Sequence, residues 1–168
     1  MKKTTQTKTT SLAGRVGGIA SALLSLIAIF TMFAPAFNEE EGNARGNLFK
    51  VMFGNSWKSN PGNYNPVWPL IIGFALLVIA VFLGFAIAAL EGKAKKALTA
   101  GALVANGAAI ALTMFECQFY YAANADHIVS LESTGVTYIG AAAICVAIFA
   151  GLAVVINFFS LIYKGEAE

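Results

Sequence analysis

The chain has 168 residues, of which 58% are hydrophobic and only 12% are charged. Soluble domains average roughly 45–50% apolar and about 25% charged residues, so this composition excludes an ordinary soluble globular protein. The formal net charge of +2 is too small to indicate nucleic-acid binding.

Four long apolar runs, separated by shorter polar segments, make up most of the chain. They cover residues 16–37, 67–90, 97–122 and 136–163. Each run has the ~20 residues that a helix needs to cross a ~30 Å hydrocarbon core at a rise of about 1.5 Å per residue. We therefore predict an all-α membrane protein, with a single four-transmembrane-helix bundle over residues 1–168.

The first apolar run has a second interpretation, as a secretory signal peptide. Three lysines precede it within the first eight residues, and it ends in Ala34-Pro35-Ala36, which has the A-x-A pattern of cleavage sites. Cleavage there would leave three spans. Because the run is long enough to cross a membrane, we prefer the uncleaved form.

The distribution of Lys and Arg predicts the orientation of the bundle. The N-terminal tail, the turn at 91–96 and the C-terminus carry eight of the 11 basic residues, whereas the 38–66 loop carries three. By the positive-inside rule both termini are cytoplasmic, and the loops 38–66 and 123–135 face outwards. Aromatic residues crowd the outer boundary, as expected for rings that prefer the interface. We expect a multi-pass protein of the cell membrane.

Each predicted span carries small residues at a spacing of four. Helices in lipid associate where small side chains allow their backbones to approach closely, so we predict that these stripes pack inside the bundle and not between subunits. Chance occurrence in a sequence rich in Ala and Gly is the alternative. The predicted packing residues are Gly14, Gly18, Ala80, Gly84, Gly101, Ala105, Ala147 and Gly151.

The 38–66 loop contains an apolar stretch at residues 48–53, bounded by Gly46 and Gly54. Its β-forming residues favour a short strand, and a helix lying on the bilayer surface is the alternative. The stretch either caps the outer end of the bundle or forms a docking surface for a partner protein or lipid. The candidate interaction residues are Leu48, Phe49, Val51, Met52, Phe53 and Trp57.

This layout resembles that of claudin-type tetraspan proteins, with cytoplasmic ends, a longer first outer loop and a short second one. The apolar stretch that leads to Gly54-Asn55-Ser56-Trp57 is part of the resemblance. The chain also resembles small four-span membrane proteins of Gram-positive bacteria. Claudins carry a Trp and two disulfide-forming cysteines in the first outer loop. Trp57 would correspond to that Trp, as a structural anchor, but the loop here contains no cysteine.

The third predicted span contains a polar face that includes an acid, Glu116. Ionisable groups inside a membrane are functional candidates, so the face is a candidate ion or polar site in which Glu116 binds or relays a proton or cation. In the alternatives, Glu116 extends to the headgroups near the outer end of the span, or it forms a hydrogen bond within the bundle. Along the face lie Thr99, Asn106, Thr113, Glu116 and Tyr120.

No sequence motif for catalysis, metal binding or a phosphate-binding loop is present, so we predict neither an enzyme nor a cofactor. Cys117 and Cys145 both fall in predicted spans and are expected to be reduced thiols. We predict an accessory, scaffold or assembly subunit that acts through its outer loop and helix faces. Its partners would be membrane lipid and either another membrane protein or a second copy of the chain. The alternative is a small oligomeric channel or transporter that uses Glu116.

Overall fold

The computed structural model describes residues 12–38, 44–54, 64–125 and 138–162. Within these residues, four helices are long and apolar enough to cross a membrane, which confirms the prediction of a multi-pass, four-helix membrane protein. These helices are α1 (Leu12–Thr31), α3 (Trp68–Ala89), α4 (Gly92–Met114) and α6 (Ala141–Ile162). Two short helices and three strands complete the described fold: α2 (Leu48–Met52), α5 (Glu116–Ala123), β1 (Pro35–Asn38), β2 (Ala44–Asn47) and β3 (Tyr138–Ile139).

The four long helices form a closed ring in which each helix packs against two others. Helices α1 and α4 both contact α3 and α6, so α1 and α4 lie diagonally across the bundle. Helices α3 and α4 are antiparallel because only Leu90 and Glu91 connect them. We call the end with this connection the turn end, and the end that carries the strands, α2 and α5 the cap end.

The first spanning helix ends at Thr31, earlier than the predicted boundary at residue 37. Residues 32–34 form a turn, and Pro35 begins β1. Proline cannot donate the backbone hydrogen bond of a helix, and it disfavours helical geometry in the residue before it. The end of the apolar run therefore belongs to the cap and not to the membrane span.

The third spanning helix is displaced toward the N-terminus relative to the predicted 97–122. It begins at Gly92, whose positive φ of 71° allows the chain to enter the helix directly after the connection from α3. It ends at Met114, because Phe115 departs from helical geometry with φ −97° and ψ 22°. A separate helix, α5, then starts at Glu116. Glu116 consequently lies beyond the spanning helix, at the cap end.

At the cap end, the segment between α1 and α3 and the segment between α5 and α6 meet in one antiparallel sheet. Its strand order is β2-β1-β3. Phe37, in the central strand, is opposite Arg45 of β2 on one side and Ile139 of β3 on the other. Helix α2 follows β2 directly. Its N-cap is Asn47, whose Oδ1 accepts a hydrogen bond of 3.2 Å from the Lys50 N–H. The stretch 48–53 is therefore not the strand that its composition favoured. Residues 48–52 form a helix, which was the alternative, and the strand β2 precedes them.

Candidate functional site

The polar face predicted on the third span lies in the interior of the protein. Asn106, Thr113 and Glu116 have no exposed surface, and Thr99 and Tyr120 are almost completely buried. The long helices α1 and α6 contribute further buried polar residues, whose specific pairing the sequence did not predict, namely Ser21, Ser25 and Asn157. The available signal was their polarity within otherwise apolar helices, but nothing in the sequence pairs them.

Two side-chain hydrogen bonds connect different helices inside the bundle. The Asn157 Nδ2 donates to the Ser21 Oγ at 2.9 Å, which links α6 to α1. The Ser25 Oγ donates to the Asn106 Oδ1, also at 2.9 Å, which links α1 to α4 across the diagonal. Buried polar groups are costly unless they are paired, so these bonds fix the relative positions of three helices.

The remaining polar groups on this face bond to carbonyls of their own helix. The Thr99 Oγ1 donates to the Lys95 carbonyl at 2.8 Å, and the Thr113 Oγ1 donates to the Ala109 carbonyl at 2.9 Å. The Asn106 Nδ2 donates to the Ala102 carbonyl at 3.0 Å. Such bonds are a common way to satisfy hydroxyl and amide groups in membrane helices. Most of the polar face is therefore satisfied by the protein itself.

Glu116 differs from the rest of the face. Its Oε1 accepts a hydrogen bond of 3.1 Å from the Gly140 backbone N–H, just before α6. Its Oε2 is buried and has no hydrogen-bond partner among the described residues. Burial raises the pKa of Glu116 to about 8, and the Gly140 hydrogen bond opposes this rise. Of the two alternatives for Glu116, extension to the headgroups does not fit its complete burial, whereas a hydrogen bond within the protein is present, although to a backbone N–H.

Gly140 is essential to this geometry, and the sequence interpretation did not identify it. Its N–H also donates to the Ala36 carbonyl at 2.9 Å, so β1 and Glu116 share one donor. A Cβ at position 140 would overlap the carbonyl group of Ala36 and lie 2.5 Å from the Pro35 oxygen. Only glycine therefore allows β1 to approach α6 this closely.

The rest of α5 is tied to the segment that precedes α3. The Tyr120 ring packs between Phe37, at a centroid distance of 5.2 Å, and Tyr64, at 6.1 Å. The Asn124 Oδ1 accepts a 2.7 Å hydrogen bond from the Asn65 N–H. These contacts hold α5, and with it Glu116, against β1 and the segment before α3.

Cys117 follows Glu116 in α5 and is buried, whereas Cys145 is half-buried in α6. Both thiols are free, as predicted. Burial, and then the charge of Glu116, raise the pKa of Cys117 to about 12. Among the described residues no group of three His, Cys, Asp or Glu side chains is placed to hold a metal ion.

The structure divides the predicted interaction residues into two groups. Leu48, Val51 and Met52 have no exposed surface and belong to the hydrophobic core, so these three offer no docking surface. Phe49 is partly buried and Phe53 is 45% exposed. The physical reason is the helical fold of α2, which turns alternate sides of the apolar stretch toward the bundle and toward the outside. Trp57 lies outside the described residues.

Phe49 and Phe53 belong to a group of four rings at the cap end, which we call the aromatic cluster. Phe49 is at its centre: its ring centroid lies 4.9 Å from that of Phe33, 5.2 Å from that of Phe53 and 5.6 Å from that of Phe74. Phe33 follows α1 and is 53% exposed. The cluster thus combines rings from the ends of α1 and α2 and from α3.

The predicted small residues of α1 and α3 meet in one close contact. A Cβ at Gly18 would lie 2.8 Å from both the Ala88 nitrogen and the Gly84 oxygen. A Cβ at Gly84 would lie 2.8 Å from the Ala22 Cβ. The two backbones approach each other here, and Ala80, one turn nearer the N-terminus of α3, is also buried. These stripes pack against each other inside the bundle, as predicted. The sequence did not predict that α1 and α3 are the helices they bring together.

The predicted stripes of the other two helices fit less well. In α4, Ala105 is buried, and a Cβ at Gly101 would meet only a Leu83 methyl group at 3.4 Å. In α6, a Cβ at Gly151 would meet nothing within 4 Å, and Ala147 is half-buried. Gly14 is half-exposed. The buried face of α6 instead includes Ala143, Val146, Ala150 and Ala153.

In comparisons with protein-family models, curated proteins and solved structures, no match to this chain was found. The four apolar helices fit a tetraspan layout. The resemblance to claudin-type proteins and to four-span proteins of Gram-positive bacteria thus rests on layout alone, and no relative assigns the chain to either group.

Proposed function

We propose that this integral membrane protein acts by contact, as an accessory, scaffold or assembly subunit of a membrane complex. The observation that supports the proposal is the aromatic cluster, which exposes Phe33 and Phe53 at the cap end. Aromatic residues are enriched at protein interfaces because a large ring buries much apolar area with few rotatable bonds. The partner is another membrane protein that buries these two rings.

The cluster is held rigidly by the backbone beneath it. The Phe49 N–H donates to the Met32 carbonyl at 2.9 Å, and the Val67 N–H donates to the Met52 carbonyl at 2.9 Å. The Asn47 Nδ2 donates to the Phe33 carbonyl at 2.7 Å. A surface that is already ordered loses little conformational entropy when a partner binds, so these bonds favour its use in recognition.

A double substitution, Phe33→Ser with Phe53→Ser, tests the proposal. Both side chains project from the surface, so the bundle should remain folded while partner binding is lost. The matched control is Phe159→Ser, since Phe159 is 64% exposed near the turn end. Tagged variants are purified in mild detergent, and co-purifying proteins are quantified by mass spectrometry.

We expect the double substitution to reduce recovery of a stoichiometric partner at least tenfold, which corresponds to about 1.4 kcal/mol of lost binding free energy. The control should retain the partner. Equal recovery from the double variant, the control and the parent protein would contradict the proposed role of the cluster.

A small channel or transporter is the second candidate function. The observation that favours it is the Oε2 of Glu116, which lacks a hydrogen-bond partner in the described part of the chain and is buried, as are Asn106 and Thr113. Because this face lies inside the bundle, a proton or cation path along it would run through one copy. Proton flux into liposomes, driven by a potassium diffusion potential, should then be lost in Glu116→Gln, and unchanged flux would exclude this candidate.

A further inference from the structure

Three segments that are distant in the sequence meet at one backbone donor. The Gly140 N–H donates to the Ala36 carbonyl of β1 and to the Glu116 carboxyl of α5. Next to this point, Phe37 of β1 is paired with Ile139 of β3. Through Gly140, Glu116 of α5 is therefore tied to both connections at the cap end. One is the segment between α1 and α3, which contains β1, and the other is the segment between α5 and α6, which contains β3.

We propose that Glu116 is a protonation-dependent latch that holds β3 and the start of α6 against α5 and β1. The neutral carboxyl is compatible with the closed, buried arrangement. Loss of its proton favours opening of the site to water, because the cost of burying the carboxylate exceeds the gain from its stronger hydrogen bond with the Gly140 N–H. The inference is independent of the proposed contact function, because the aromatic cluster uses other residues.

The closed arrangement is poorly suited to a carboxylate. A buried carboxylate normally accepts several hydrogen bonds, whereas Glu116 accepts one from a donor that it shares, and its Oε2 has no described partner. The N-terminus of α6, which begins at Ala141, carries a partial positive charge that favours the ionised form. Burial outweighs this effect, because the pKa of Glu116 is raised overall.

No other described charge compensates for ionisation of Glu116. The titratable groups on its own helix are Cys117, Tyr120 and Tyr121, and Tyr64 stacks on Tyr120. The residues 35–37 of β1 and 139–142 at the start of α6 are apolar or glycine. No ion pair joins Glu116 to a Lys or Arg side chain of the described part of the chain, and Lys50 on α2 is exposed. When the latch opens, the carboxylate reaches water, and hydration then stabilises its charge.

Opening of the latch should expose Cys117, which is 9% exposed in the closed arrangement. The interior bonds of Ser21 and Ser25 lie farther toward the turn end, so the spanning helices can remain in place. Thiol reactivity at Cys117 is therefore a local readout of the latch.

The test uses the 168-residue chain in detergent with the substitution Cys145→Ser, which leaves Cys117 as its single thiol. The rate of labelling by N-ethylmaleimide is measured from pH 5 to pH 9.5. The matched protein carries Glu116→Gln in addition, which keeps the site neutral at every pH. Dividing the rate of the single-thiol parent by the rate of this matched protein removes the ordinary pH dependence of thiol chemistry.

We expect this rate ratio to be lowest at pH 5, the acidic end of the series. It should rise by up to tenfold per pH unit and level off above about pH 8, where the closed form also loses its proton. The charge of Glu116 raises the pKa of Cys117, which slows labelling, so this charge cannot itself cause the expected acceleration. A ratio that stays constant from pH 5 to pH 9.5 would overturn the proposal.

A second measurement covers the case in which E116Q does not fold. In the otherwise unchanged protein, the labelling of Cys117 is compared with that of Cys145 by peptide mass spectrometry. Cys145 lies about one turn into α6, beyond the start that the latch holds, and the Asn157–Ser21 bond keeps the rest of this helix in place. A rising ratio of Cys117 to Cys145 labelling between pH 5 and pH 8 supports the latch, and a constant ratio refutes it.

Discussion

The substitution Gly18→Ala should destabilise the bundle, because the contact between α1 and α3 has no room for a methyl group. The added Cβ would lie 2.8 Å from two backbone atoms of α3, the Ala88 nitrogen and the Gly84 oxygen. Favourable contacts of carbon with other heavy atoms lie near 3.5–4.0 Å, so α1 and α3 would have to separate locally by roughly 0.7 Å or more. Overpacking of this kind typically costs about 1–3 kcal/mol.

The matched control is Gly151→Ala in α6, where an added Cβ meets nothing within 4 Å. Alanine is the better helix former by up to about 1 kcal/mol, so this control should be neutral or slightly stabilising. Thermal unfolding in detergent, followed by circular dichroism, should show Gly18→Ala melting about 2–12 °C below the parent, since about 1–3 kcal/mol is lost at roughly 2–4 °C per kcal/mol. Equal midpoints for the two alanine variants would refute the close packing of α1 on α3.

Three further predictions concern the interior and the cap. Ser25→Ala should lower the unfolding free energy by about 1–3 kcal/mol, measured by denaturant titration, because the Asn106 Oδ1 loses the donor that crosses the bundle; an unchanged midpoint would contradict that bond. Met52→Ala should cost about 2–5 kcal/mol because the side chain is fully buried, whereas Phe53→Ala should cost clearly less; equal losses would contradict the division of the 48–53 stretch into buried and exposed residues. The raised pKa of Glu116 means that the unfolded chain releases this proton at lower pH than the folded protein does, so the free energy of unfolding should fall from pH 4.5 to about 8, by up to about 1.4 kcal/mol per pH unit. Glu116→Gln should remove this component, and parallel pH profiles of the two proteins would exclude it.

Hydropathy predicted the four spanning helices, because a spanning segment must be long and apolar regardless of its neighbours. Two of the boundaries were displaced for reasons that are local. Pro35 ends the helical geometry of the first apolar run, although the run itself continues to Phe37. At the second boundary, Gly92 allows α4 to start among lysines, although a hydropathy pattern assigns these lysines to a turn.

The candidate site was predicted in part. The acid and its polar face were found because spacing alone places them on one side of a helix. The partner of Glu116 could not be found, since a backbone N–H at Gly140 leaves no trace in side-chain patterns. The pairing of Ser25 with Asn106 likewise depends on which helices lie across the diagonal of the ring, and this order is a property of the folded bundle.

The most direct test of the proposed contact function is photo-crosslinking from the aromatic cluster in intact cells. A photoreactive phenylalanine analogue is placed at Phe53, and separately at Phe159 as the control. We predict a discrete crosslinked product with a different membrane protein from position 53, absent from position 159 and reduced by Phe33→Ser. The absence of any product from position 53, or products only with a second copy of the chain, would contradict the account.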